Sequence, residues 1–270
     1  MNHPSIYWQG EGEHLLTHEE FPRASRYDPS WVLENQMGPN ALWLTERLCN
    51  SLDLKPGMRV LDLGCGRGLS SVFLAKEYRV NVWATDLWIK ATDNLRQFTA
   101  AQVDDRVYPL HAEAHALPYA HEFFDCIISI DAYQYFGTDL MYLGYLAQFV
   151  KPQGQIGIIV PGLHRPLRQP LPKHLTTPQA HGSVFWAWDM CTFQTAGWWK
   201  NLWSQYPFFT VEHARAMPDG GAIWLAWEQA IEKTEINTPF PSDQETLAAD
   251  ANQHLTFIEV IGRRTADCWS

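Results

Sequence analysis

Residues 60–71 read VLDLGCGRGLSS: an apolar run carrying one carboxylate, Asp62, and then glycines at 64, 66 and 68. Glycines at that spacing let a chain turn sharply and come close to a ligand, because no Cβ blocks the approach. A second carboxylate, Asp86, closes the next apolar run, VNVWATD. His164 and His181 each offer an imidazole of near-neutral pKa suited to a general base. His111 and His115 lie four apart in HAEAH, but the segment reads as strand and loop, and the order H-E-x-x-H is absent, so no metal site is expected there. Phe185, Trp186, Trp188, Phe193, Trp198, Trp199 and Trp203 crowd together. Trp199 and Trp203, at i and i+4, share a helix face and are expected to pack on a sheet, whereas the others suit either lid packing or a pocket for an apolar or cationic ligand.

These groups need elements to hold them. Arg59 to Leu63 is short, apolar and bounded by turn residues, as in a strand buried on both faces. A helix follows through Leu69, Val72, Phe73 and Ala75, making the strand, glycine loop and helix that open a mononucleotide-binding unit. Further strands are expected at VNVWAT, near RVYPL, at FDCIISI, at QIGIIV, at FFTVEHARAM and at LTFIEVIGRR. Helices are expected at ALWLTERLCNSL, DLMYLGYLAQFV and AIWLAWEQAIEK, over residues 244–253, and from Thr195, whose hydroxyl suits an N-cap. PDGG reads as a turn. The pattern predicts an α/β fold: a doubly wound, mostly parallel seven-stranded sheet with helices on both faces, an N-terminal extension and a cap insertion after the fifth strand. The expected divisions are an extension or lid over 1–40, a core over 41–160, a cap with a return strand over 161–221, and closing helices and strand over 222–270.

Composition narrows the function. The 270 residues are 46% hydrophobic and carry a formal charge of -10, which removes the basic footprint that nucleic acid or anionic lipid demands. The five cysteines are odd in number and lack CxxC spacing, which speaks for a reducing cytoplasm and against a disulfide framework or zinc knuckle. No export signal or membrane span is evident.

A nicotinamide-binding loop calls for G-x-G-x-x-G, but here the third glycine arrives one residue early and position 69 is leucine. VLDLGCGRG, with Asp62 in the strand and Asp86 at the tip of the next, resembles motif I of the class I methyltransferases that use S-adenosylmethionine. EAHALPY at Glu113 to Tyr119 is similar to their adenine-side DAxxLPF, and FFDCIIS to the strand that follows it. The resemblance covers roughly residues 55–160. It implies S-adenosyl-L-methionine as cofactor. Gly64, Cys65 and Gly66 would meet its methionine part through bare backbone at a helix N-terminus, with Asp62 balancing the amine. Asp86 would take the ribose hydroxyls, Leu87 and Trp88 would cover the adenine, and Glu113 with Ala114 would read its edge.

In that family the segment after the fourth strand faces the reactive methyl. Here it is DAYQYFG, which puts Asp131, Tyr133, Gln134 and Tyr135 forward as catalytic candidates beside His164, with Asp131 also within reach of the cofactor. Phosphobase methyltransferases and cyclopropane synthases tend to carry histidine where Tyr135 stands, so their mechanism does not carry over; the [DN]PP[YF] motif of amino-group methyltransferases for DNA bases and protein glutamine is absent, so those substrates lose support. The expectation is a cytoplasmic enzyme that methylates nitrogen or oxygen of a small molecule, an amine or aromatic compound, by in-line displacement. Its alternatives are a nicotinamide-dependent oxidoreductase and a protein that binds the cofactor without turnover.

Overall fold

A computed structural model describes residues 5–234 and 240–265. Cys268 and the last residues of the expected closing segment lie outside that range.

Two helices precede the sheet, α1 (Pro29–Glu34) and α2 (Ala41–Cys49). The Asn40 side chain caps α2 by accepting from the N–H groups of Leu42 and Trp43 at 3.0 and 3.2 Å, which fixes where the chain turns inward. The first half then alternates strand and helix: β1 (Arg59–Leu63), α3 (Leu69–Phe73), β2 (Asn81–Asp86), α4 (Ala91–Ala100), β3 (Val107–His111), β4 (Phe124–Ile130), α5 (Tyr142–Leu146) and β5 (Val150–Leu163). The second half adds α6 (Lys173–Thr176), β6 (Gln194–Thr195), α7 (Ala196–Trp203), β7 (Phe209–Ala216), α8 (Gly220–Glu232), α9 (Gln244–Asp250) and β8 (Leu255–Arg264).

The sheet order is β3-β2-β1-β4-β5-β8-β7, with the two-residue β6 pairing the end of β5. The strands β1 to β5 run parallel, and β8 enters antiparallel between β5 and β7. This is the doubly wound, mostly parallel sheet expected from the alternation of apolar runs. The strand order reverses at β1, which pairs β2 on one side and β4 on the other. A crevice opens beyond the carboxyl ends of strands at such a switch point.

Residues before α2 are built into this body. Ile6, Leu16, Phe21 and Tyr27 are buried in the same core cluster as α2, α3 and α8. On the other face, Trp199 and Trp203 are fully buried against the sheet beside Tyr133 and Tyr142. Thr195 caps α7, its hydroxyl accepting from the Trp198 N–H at 3.2 Å.

Two local expectations give way to tertiary pairing. The helical period over residues 139–150 yields only the five-residue α5, because Val150 pairs with Phe124 and starts β5. The sheet then runs on through KPQG with a register irregularity opposite Phe124 to Cys126 and Gln153 at φ 66°. The glycines of PDGG are the first residues of α8 rather than a turn. A Cβ on Gly220 would lie 2.3 Å from Thr256 Oγ1, and one on Gly221 2.6 Å from the Leu255 carbonyl, so they let the helix close onto β8.

Candidate active site

The loop after β1 departs from an ordinary strand-to-helix turn at Gly64, Gly66 and Gly68, whose φ values are 76°, 54° and 83°. Each glycine also has a neighbour where a side chain would stand. A Cβ on Gly64 would meet the Ala132 methyl at 2.4 Å, and one on Gly68 the Phe98 ring of α4 at 2.3 Å. A Cβ on Gly66 would approach Met37 Sδ to 3.1 Å. The glycines thus bring the loop against β4's exit, against α4 and against the N-terminal segment at once.

Asp86 ties this loop to the next. Its Oδ2 accepts from the Gly66 N–H at 2.8 Å, and its Oδ1 accepts from the Trp88 and Ile89 N–H groups at 2.7 and 2.9 Å. Behind it, the Thr85 carbonyl accepts from the Gly64 and Cys65 N–H groups at 2.8 and 3.2 Å. The N–H groups of residues 64 to 66 are therefore satisfied within the protein. What the glycines offer a ligand is space and close approach, the role expected for Gly64 and Gly66. The Gly66 carbonyl in turn accepts from Asn94 Nδ2 at 2.9 Å.

A cleft with an empty volume of about 1010 Å³, its open mouth included, lies over this loop. Gly64, Cys65, Gly66, Asp86, Leu87, Trp88, Glu113, Ala114, Asp131 and Tyr135 all border it, together with Ile130 and Phe136. Glu113 is turned outward, its Oε1 paired with His115 Nδ1 at 2.8 Å; His115 hydrogen-bonding holds the carboxyl below its usual range despite some desolvation. Trp88 and Tyr135 form the exposed lip, 66% and 57% accessible, with ring centroids 6.5 Å apart. Partial desolvation of its hydroxyl end, with the Asp131 carboxylate nearby, raises the Tyr135 phenol.

Asp131 sits where β4 ends, in left-handed backbone at φ 50°, which costs energy in a residue other than glycine. Its N–H is held by the Ile159 carbonyl at 2.9 Å, and its Oδ1 accepts from Gln134 Nε2 at 3.1 Å. Burial pushes the carboxyl up to about 7, against the opposing effect of the Gln134 bond.

Four of the expected site residues stand elsewhere. Asp62 is fully buried behind the loop, where its Oδ2 accepts from the Ser70 and Ser71 hydroxyls at 2.6 Å each; burial raises it to about 6, partly offset by those bonds. It braces the start of α3 and does not border the cleft. Tyr133 is also fully buried, packed against Trp199, Trp203 and Tyr142, because the 3-10 turn of residues 133–135 sends successive side chains in different directions. Only Tyr135 reaches the cleft. His164 lies at the far end of β5 with Nε2 3.5 Å from Asn252 Oδ1, and His181 bonds the Ser242 carbonyl at 3.1 Å; neither borders the cleft.

The aromatic segment resolves into packing. Phe185 and Phe193 are buried against Trp224, while Trp188 stands 89% exposed.

A further wall comes from the N-terminal segment, expected as an extension or lid but with none of its residues singled out. Asn35, Met37, Gly38, Pro39 and Ala41 border the cleft, and the Gly38 carbonyl accepts from Trp227 Nε1 of α8 at 2.9 Å. MGPN carried a turn signal, but nothing in its spacing revealed which loop it would face.

The residues present suit an adenosyl cofactor. The cleft pairs a close-approach glycine loop with a carboxylate fixed at the tip of β2, and adds apolar side chains from Leu87, Ala114 and Phe136. Residues 60–154 match the family model for a methyltransferase domain. The 27-O-demethylrifamycin SV methyltransferase of Amycolatopsis mediterranei is 31% identical over 117 residues, 43% of each chain. The chain spans less than half the length of the first curated relatives it matches, 43% and 42%. Among solved structures, geranyl diphosphate C-methyltransferase of Streptomyces coelicolor, crystallised with S-adenosyl-L-homocysteine, superposes with a TM-score of 0.60 at 15% identity, covering 82% of this chain and 78% of that one. Phosphoethanolamine N-methyltransferase 2 of Haemonchus contortus, in complex with S-adenosyl-L-methionine, gives 0.62 at 16% identity over 88% of this chain and 56% of that one. Sheet order, glycine loop and family match converge on one likeness: residues 60–154 of the chain match a methyltransferase domain.

Proposed function

We propose that the protein transfers a methyl group from S-adenosylmethionine to the nitrogen of a small amine, or less favourably to a small-molecule oxygen, in front of Asp131 and Tyr135. The cofactor supplies an electrophilic methyl on a sulfonium and departs as S-adenosylhomocysteine. The chain's part is alignment, exclusion of water and removal of the acceptor's proton.

The observation that carries this reading is Asp131. A carboxylate raised to about 7, held by one amide donor at the floor of a cleft, suits a base working near neutral pH. Preference for an amine rests on charge and an aromatic ring. The cleft is bordered by three carboxylates, Asp86, Glu113 and Asp131, against one guanidinium, Arg67. Tyr135 at its lip adds an aromatic ring of the kind that attracts a cation. Asp86 would take the ribose hydroxyls, Gly64 to Gly66 the methionine part, and Leu87, Trp88 and Ala114 the adenine.

Calorimetry with S-adenosylmethionine, S-adenosylhomocysteine and a pyridine dinucleotide tests the cofactor. An isotherm with the dinucleotide alone would overturn the reading in favour of an oxidoreductase. A labelled-methyl screen over amines, phenols and acids then tests turnover, with amines expected to be labelled first. Cofactor binding without product across the screen would leave a binding protein.

A further inference from the structure

We infer that His174, Asp250 and His254 form a binding site for a divalent transition metal of the zinc type, remote from the cleft, that staples the segment after β5 to the C-terminal part of the core. Asp250 Oδ1 lies 2.9 Å from His174 Nε2 and 2.9 Å from His254 Nδ1, and the three donor atoms fall within 4.8 Å of one another. A tetrahedron with bonds of about 2.1 Å has edges of about 3.4 Å, so an ion would enter by spreading the two 2.9 Å contacts by about 0.5 Å. Two imidazoles and a carboxylate suit zinc, cobalt or nickel better than calcium or magnesium.

The surroundings hold the donors in place. The Asp250 side chain is 1% exposed, and its second oxygen, Oδ2, accepts from the His254 and Leu255 N–H groups at 3.0 Å each. That backbone grip orients Oδ1 much as hydrogen bonds orient a ligating carboxylate in metal sites. The turn from Asp250 to His254 passes through Ala251 and Asn252 at φ 49° and 59°, two strained residues that bring the carboxylate and the imidazole to the same point. The imidazoles are 19% and 16% exposed, which leaves a solvent side for water to complete the sphere. Each imidazole would carry its N–H on the other ring nitrogen and present a lone pair in place of the donor it now aims at Asp250.

His174 belongs to α6 in the segment following β5, whereas Asp250 and His254 close α9 and lead into β8. A shared ion would cross-link positions 76 residues apart. Stability, not chemistry at the cleft, is the expected consequence.

The test uses tag-free, chelator-stripped full-length protein titrated with Zn²⁺ and with Co²⁺. Binding of one ion per chain is expected, with visible absorption from the cobalt form and a Tm rise of about 5 °C at a hundredfold excess over Kd. His174→Gln and His254→Asn each keep an amide nitrogen near the atom that now bonds Asp250 but cannot ligate as imidazole. Both should fold and bind cofactor, and both should lose the ion and the Tm rise. On the wild type alone, Zn²⁺ should protect His174 and His254, but not His181, from carbethoxylation read by mass spectrometry. Absence of stoichiometric binding, unchanged binding in both variants, or equal modification of the three histidines with and without metal would overturn the inference.

Discussion

Gly38 faces Asp131 so closely that a Cβ on the glycine would lie 2.5 Å from Asp131 Oδ2. The N-terminal segment therefore sets the position of the raised carboxylate. Gly38→Ala is expected to displace that carboxylate, lowering kcat by about 10- to 100-fold. A fall in Tm is expected beside it, because Gly38 lies at φ 154°, where alanine is strained. Steady-state kinetics alongside a melting curve separates the two effects.

Asp131→Asn removes the proposed base while keeping an oxygen for Gln134. The methyl-transfer rate of the wild type should rise with pH through about 7 and level off. The variant should lose about 100-fold or more at the plateau and show no such rise. A variant whose pH profile retained the wild-type inflection would move the base elsewhere.

The same substitution has a stability signature. A carboxyl at about 7 in the folded protein and 3.8 unfolded binds its proton more tightly when folded. Its contribution to stability is full below about 4 and is lost as pH rises through about 7. Asp131→Asn should thus match the wild type near pH 4 and exceed it by on the order of 2 kcal/mol at pH 8, discounted because the group borders an open cleft. Denaturant titrations at the two pH values measure the difference.

Asp86→Ala strips acceptors from three backbone N–H groups, those of Gly66, Trp88 and Ile89. Cofactor affinity is expected to fall by about 2 kcal/mol, near 30-fold, with a further stability loss of about 1–3 kcal/mol from the disordered loop. Asp86→Asn should lie between the two proteins in both measures. Unchanged S-adenosylhomocysteine affinity by calorimetry in the alanine variant would remove Asp86 from the site.

Tyr133→Phe and Tyr135→Phe should behave oppositely. Among the described residues the buried Tyr133 hydroxyl finds no well-formed hydrogen bond, so its removal should leave turnover intact and stability within about 1 kcal/mol of the wild type. Tyr135 borders the cleft, so its phenylalanine variant should alter KM or kcat while melting like the wild type.

Local sequence determined the parts whose physics is local. A β-rich run, three glycines and a helix-forming run specify strand, loop and helix wherever they occur, and Asp86 at a strand tip specifies a capped turn. LTFIEVIGRR, FDCIISI and the Thr195 cap were legible for the same reason: period, propensity and capping act over a few residues. The order of those motifs also exposed the methyltransferase resemblance and many of the residues that border the cleft.

Tertiary structure decided what depends on direction and distance. Whether Tyr133 or Tyr135 faces the cleft turns on the phase of one short 3-10 turn, and Asp62 was drawn inward by two serine hydroxyls eight and nine positions on. The helical period before Val150 lost to strand pairing with Phe124. Met37 and Gly38 entered the cleft wall, and His174 met His254, because a folded core brings together segments that no periodicity relates. Side-chain chemistry is written residue by residue, but the company each side chain keeps is settled only when the sheet closes and its layers pack.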